Sequence, residues 1–199
     1  MKNWIKTAAI AALAVGCVIE TRANLVVNGS FEAPALGGGW NLFSSIPGWT
    51  AASGGAPVLE IGAGGIYGVT GFDKKQVMEL DSTGNVVAEQ TIGYFAGVKP
   101  LSFLYAQRAG VLPSDGSFDV LWNGGLVGSF APAYGATAMT LFTKNVTSAA
   151  INTLQFVGTG ANTSYGAIID NVSVPDGGST ITFMGLGLLA VAGVRRKLS

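Results

Sequence analysis

Between residues 24 and 173 the apolar side chains recur at every second position, in short runs cut by Gly, Pro, Asn, Asp and Ser. Leu101, Phe103 and Tyr105 share one face of an extended segment, as do Phe118, Val120 and Trp122, and Leu154 and Phe156. A period of two belongs to a strand with one buried face. No window in this region carries a helical stripe. Strands are expected over 24–28, 48–51, 57–61, 76–80, 86–92, 101–107, 117–122, 125–130, 139–146, 153–157 and 167–174. Asn123-Gly124, between Trp122 and Leu126-Val127, predicts a hairpin, because both central residues of the favoured turn need positive φ. Many short strands with regular turn punctuation imply an antiparallel sandwich or barrel. The expected fold is all-β, a two-sheet antiparallel jelly-roll sandwich.

The two ends do not follow this pattern. Residues 1–6 are short and basic, 7–19 are apolar and Ala-rich, and Thr21-Arg22-Ala23 offers small residues where a signal peptidase reads. This predicts a signal-peptide helix over 1–23, cleaved between Ala23 and Asn24. A competing reading is lipoprotein processing at Cys17, since Leu13-Ala14-Val15-Gly16-Cys17 weakly resembles a lipobox. At the other end, 181–194 is uncharged and apolar and stops at Arg195, Arg196 and Lys197. An apolar run with a basic stop suits a membrane segment whose basic end faces the cytoplasm. The run is shorter than the roughly 20 residues of a usual spanning helix. A tail over 174–199 made of a turn motif, a short hydrophobic transmembrane helix and a basic end, held in the membrane briefly or permanently, is therefore expected.

What remains, 24–173, is one domain of a size that supports a substantial core. It holds no cysteine, since Cys17 is the only one in the chain. It carries five basic residues (Lys74, Lys75, Lys99, Arg108 and Lys144) against nine acidic ones, a net charge of −4. With no basic patch to neutralise phosphates, nucleic-acid binding is excluded as an expectation. The chain has no His, so Ser-His-Asp, Cys-His and His-ligated metal chemistry are also excluded. Glu79 and Asp81 sit two apart on one expected strand, a spacing ordinary on exposed strands that makes no acid/base assignment.

The tail Val174-Pro175-Asp176-Gly177-Gly178, with its apolar segment and basic stop, resembles the PEP-CTERM class of bacterial sorting signals. It is nearest the variant whose motif begins Val-Pro-Asp. The resemblance implies recognition by an exosortase, after signal peptidase has acted, and delivery to the cell surface or its extracellular polysaccharide matrix. A plain tail anchor is the alternative.

A second resemblance runs through the domain. Residues 24–32 (NLVVNGSFE), Ile46-Pro47-Gly48-Trp49, 76–80 (QVMEL), Leu101-Ser102-Phe103 and Ile169-Asp170-Asn171-Val172 are similar, in order, to the galactose-binding-like jelly rolls. That group includes plant cell-wall domains of unknown function and carbohydrate-binding modules. The resemblance implies a structural Ca²⁺ site at Glu32 and Asp170, where first and last strands lie side by side and offer hard oxygen ligands. The bland reading of the same residues is that Glu32 accepts turn N–H groups and Asp170 caps a strand end. Sugar rings stack their C–H faces on aromatics, and Trp40, Tyr67, Tyr134 and Tyr165 fall in Gly-rich or loop-like stretches that suit this. Trp49, Tyr105 and Trp122 fall on strands and are expected in the core. Asp73, Glu79 and Asn85 are weaker candidates for hydroxyl contacts. The expected function is non-enzymatic: a secreted, surface-sorted protein associated with extracellular polysaccharide, with carbohydrate binding. The alternatives are a structural or adhesive matrix protein with no specific glycan site, and a glycosidase or lyase with an unrecognised carboxylate pair.

Overall fold

The computed structural model describes residues 23–176. The expected signal-peptide helix, the C-terminal helix, Gly177, Gly178 and the basic stop Arg195, Arg196 and Lys197 lie outside the described residues. Among the described residues no helix is long and apolar enough to cross a membrane.

Twelve strands form the fold: β1 (Trp40–Phe43), β2 (Ser45–Ile46), β3 (Trp49–Ala51), β4 (Leu59–Ala63), β5 (Gln76–Glu79), β6 (Val87–Gly93), β7 (Val98–Gln107), β8 (Phe118–Trp122), β9 (Gly125–Phe130), β10 (Thr140–Thr147), β11 (Ile151–Gly158) and β12 (Ala167–Ser173). They make two six-stranded sheets, ordered β1-β4-β5-β12-β7-β10 and β2-β3-β6-β11-β8-β9. Every pairing between strands is antiparallel. Only β2–β3, β4–β5 and β8–β9 follow one another within a sheet. Every other connection crosses between sheets, which is the jelly-roll habit expected from the sequence. Asn123 and Gly124, at φ 53° and 75°, make the β8–β9 hairpin.

The inner faces carry the alternating residues. Phe103 sits at the centre of an aromatic core, its ring 5.0 Å from Phe142, 5.1 Å from Phe156 and 5.5 Å from Phe130. Trp49, fully buried, lies between Phe31 and Phe156. Trp49 and Trp122 are core residues as expected, and Tyr105 packs against the same cluster.

Three expectations are corrected. Residues 24–28 do not form a strand. Asn24 makes a single bridge to Pro175 and Leu25 N–H donates to the Val174 carbonyl, but the two N–H groups after it turn to side chains: Val26 N–H to Asn24 Oδ1 and Val27 N–H to Gln90 Oε1. Trp40 lies on β1 rather than in a loop, opposite Gly62 of β4. Glu79 and Asp81 are not on an exposed strand, for both are completely buried.

The outer face of the first sheet is also covered. Val77, Ala106 and Ile168 alternate with core residues and pack under Tyr67 and Val69, from the segment that follows β4. That segment opens with a short 3-10 turn, Gly64–Tyr67. Gly62 is required here, because a Cβ at that position would run into the Tyr67 ring.

Candidate functional site

The covered outer face positions a polar row. Glu60 of β4 stands opposite Glu79 of β5, and Glu79 opposite Ile168 of β12. On β7, Leu101, Phe103 and Tyr105 face inward, so the alternation sends Ala106 and then Arg108 outward. The Arg108 guanidinium donates from Nη1 to both carboxylate oxygens of Glu79, at 2.9 and 2.8 Å. It also lies 5.1 Å from the centre of the Tyr67 ring and 4.5 Å from that of Tyr165. Tyr67 donates its hydroxyl to Glu60 Oε1 at 3.0 Å. Gly166 N–H donates to Glu79, and the Thr163 and Tyr165 N–H groups donate to Asp81 Oδ2. The loop that carries Tyr165 is thus pinned to β5 and to the turn after it.

The charges are set by this burial. Desolvation, with the negative charges of Glu60 and Glu79, pushes the Tyr67 phenol far above its ordinary range, so it remains a donor. Desolvation also raises the Glu79 carboxyl, while the Gly166 N–H and Arg108 pull it back toward the ionised form. Above the row opens a cleft of about 560 Å³, lined among others by Ile66, Tyr67, Arg108, Leu112, Asp115 and Tyr165. Beyond the bond from Nη1, the guanidinium makes no further hydrogen bond among the described residues. Its remaining N–H groups are available at the cleft, where the side chain is 24% exposed.

Of the four aromatics singled out from the sequence, the structure brings together Tyr67 and Tyr165. Tyr165 is half exposed, while Tyr67 is almost wholly buried and serves as a platform for Arg108. Trp40 and Tyr134 are well exposed but do not line the cleft. Sequence reasoning passed over Arg108, Asp115 and Glu60. One signal for Arg108 was present: it is the only Arg between residues 24 and 173, and it directly follows the alternating run 101–107.

A second acidic group lies beside the first turns. Glu32 Oε1 accepts the N–H groups of Lys75 and Gln76, each at 2.8 Å. Asp170, fully buried, accepts the N–H groups of Asp73 and Asn171. Ser30 donates its hydroxyl to Asp73. Burial raises the Asp170 carboxyl to about 7, against the two N–H bonds, and the neighbouring charges of Asp73 and Glu32 add to the rise. The Lys74 ammonium is 3.7 Å from Asp73 and largely exposed. Among the described residues no group of three or more His, Cys, Asp or Glu side chains is placed to hold a metal ion, and the hydrogen bonds these carboxylates accept suit the capping roles.

Residues 173–198 match the VPDSG-CTERM motif. The chain therefore ends in a sorting motif of that type, with Gly177 where the motif's name has Ser, and it is an exported, surface-associated protein. A segment of the multifunctional-autoprocessing repeats-in-toxin protein of Vibrio vulnificus is 35% identical over 158 residues, 77% of this chain. The protein of the same name from Vibrio cholerae is 36% identical over 152 residues. The chain spans 3% of the length of either. Among solved structures, the CBM35 from Paenibacillus barcinonensis is 20% identical, with a TM-score of 0.39 over 68% of this chain and 91% of that one. A family 35 carbohydrate binding module from Clostridium thermocellum is 8% identical, with a TM-score of 0.42 over 75% and 95%. At these scores the likeness says nothing of what this chain binds.

Proposed function

We propose that the domain binds a glycan in the cleft over Arg108, and that it does so at the bacterial surface without catalysing a reaction. The observation that carries this reading is the Arg108 guanidinium, held by Glu79 and lying against the rings of Tyr67 and Tyr165, with N–H groups left over at the cleft. Such a fixed donor set loses little freedom on binding. Tyr165, Ile66 and Leu112 add exposed apolar surface, and Asp115 adds an acceptor at the rim. Apolar surface beside a few fixed polar groups is what a small-molecule site requires. The Arg108 charge is already matched by Glu79, and Asp115 adds negative charge at the rim. The reading therefore favours a neutral, hydroxyl-rich sugar over an anionic one. The tail supports its placement, with an exosortase as processing partner, extracellular polysaccharide as ligand and the membrane as a stage in sorting. Calcium at Glu32 and Asp170, which the resemblance in the sequence implies, belongs to this proposal as a structural ion.

The test is titration of the full-length chain with labelled neutral and uronic-acid oligosaccharides, comparing the parent with Tyr165→Ala. Saturable binding of a neutral oligosaccharide, weakened at least tenfold in the variant, is expected. Binding that Tyr165→Ala leaves unchanged overturns the assignment to this cleft. Absence of binding to any glycan favours the structural or adhesive matrix reading.

A further inference from the structure

Among the described residues, three buried side-chain polar atoms have no hydrogen-bond partner: Asp81 Oδ1, Asn85 Oδ1 and Gln107 Oε1. Two of the three belong to one tight turn. Asp81 and Asn85 are paired across an antiparallel bridge that closes residues 82–84. Paired residues of an antiparallel bridge project to the same side, with Cβ atoms roughly 5 Å apart. Each side chain is already fixed through its other polar atom. Asp81 Oδ2 takes the Thr163 and Tyr165 N–H groups, and Asn85 Nδ2 donates to the Gly160 carbonyl at 2.7 Å. Their remaining oxygens are therefore aimed by bonds made elsewhere. Asn85 Oδ1 also converges with a main-chain oxygen: a Cβ on Gly158 would lie 2.6 Å from Leu80 O and 2.9 Å from Asn85 Oδ1. The Leu80 carbonyl accepts the Val86 N–H and keeps a second lone pair.

A buried oxygen without a partner leaves its desolvation uncompensated, the more so when it is charged. Asp81 is fully buried. Among the described residues no ion pair compensates it: Glu60 and Glu79 are buried carboxylates too, and Arg108 is bound to Glu79. A carboxylate oxygen, an amide oxygen and a carbonyl oxygen are the ligand types of a hard divalent cation, at metal–oxygen distances of about 2.3–2.6 Å. We propose that Asp81 Oδ1 and Asn85 Oδ1, with the Leu80 carbonyl beside them, bind a divalent cation of the calcium type. This site is separate from Glu32, Asp73 and Asp170. By holding the Asp81–Asn85 turn against the loop of residues 158–166, the cation fastens the segment that delivers Tyr165 to the cleft.

The experiment is calorimetric titration of the chelator-stripped full-length chain with calcium chloride, without glycan, so that its outcome is independent of any sugar binding. Three variants are compared with the parent: Asp81→Asn, Asn85→Asp and Asp170→Asn. A calcium-binding phase that Asp81→Asn weakens at least tenfold, Asn85→Asp strengthens severalfold and Asp170→Asn leaves in place supports the site. Absence of calcium binding by the parent overturns it. So does binding that Asp81→Asn leaves at parental affinity, or that only Asp170→Asn removes. Should Asp81→Asn lose its circular dichroism signal, Asn85→Asp decides: tighter binding supports the site, and unchanged or weaker binding overturns it.

Discussion

Replacing Arg108 with Met tests whether the charged row under the cleft acts as one unit. The substitution keeps much of the side chain's length but removes the two charge-assisted bonds to Glu79, at 2.9 and 2.8 Å. Glu79 has no exposed surface, whereas Arg108 is 24% exposed. Breaking a buried ion pair by removing one partner costs about 3–5 kcal/mol. Water reaching the Arg108 side of the pair, and protonation of Glu79, place the loss near the lower end. Loss of the two ring contacts adds about 0.5–1 kcal/mol each. The expected destabilisation is about 4 kcal/mol, or a Tm lowered by about 8–16 °C for a domain of this size. Thermal unfolding of the full-length chain in mild detergent, followed by circular dichroism, measures it. Adding Glu79→Gln should recover part of the loss, since Gln can still accept the Gly166 N–H and leaves no orphaned charge. A fall of less than about 4 °C, or a double variant no more stable than Arg108→Met alone, would refute the reasoning.

Two further outcomes follow from the same geometry. Tyr67 keeps its proton in the folded state far above its ordinary pKa, whereas in the unfolded chain it loses it near pH 10. The stability this contributes is complete below about pH 10 and is lost as pH rises beyond it. Tyr67→Phe should therefore melt less steeply with pH in the alkaline range, and superimposable alkaline profiles would count against burial of this phenol. Phe103→Ala, at the hub of the aromatic core, should cost about 3–5 kcal/mol. Chemical denaturation measures that loss, and one below about 1 kcal/mol would mean that the core closes around the gap.

The strands that were legible in the sequence are those with one deeply buried face, such as β7, β8 and β11, where period two and burial coincide. β1 was not legible because its four residues are exposed or half-buried on both faces, so hydrophobicity there carries no alternation. The run Leu25-Val26-Val27 misled for the opposite reason. It is apolar enough for a strand, but the side chains of Asn24 and Gln90 take the N–H groups of Val26 and Val27. Glu32 and Asp170 could be linked from the sequence because the ends of a jelly roll lie together, and Asp170 does feel the Glu32 charge. The role of Arg108, beyond its being the lone Arg of 24–173, was illegible because it depends on Glu79 and Tyr165, 29 and 57 positions away, and pairing across strands leaves no local pattern.

The bridge between Asn24 and Pro175 places the two ends of the described domain side by side. Asp176 N–H reaches the Ala23 carbonyl at 2.9 Å. A unit whose entry and exit coincide occupies little more than a point on any chain that carries it. It can be spliced between two segments of a larger protein without prying them apart.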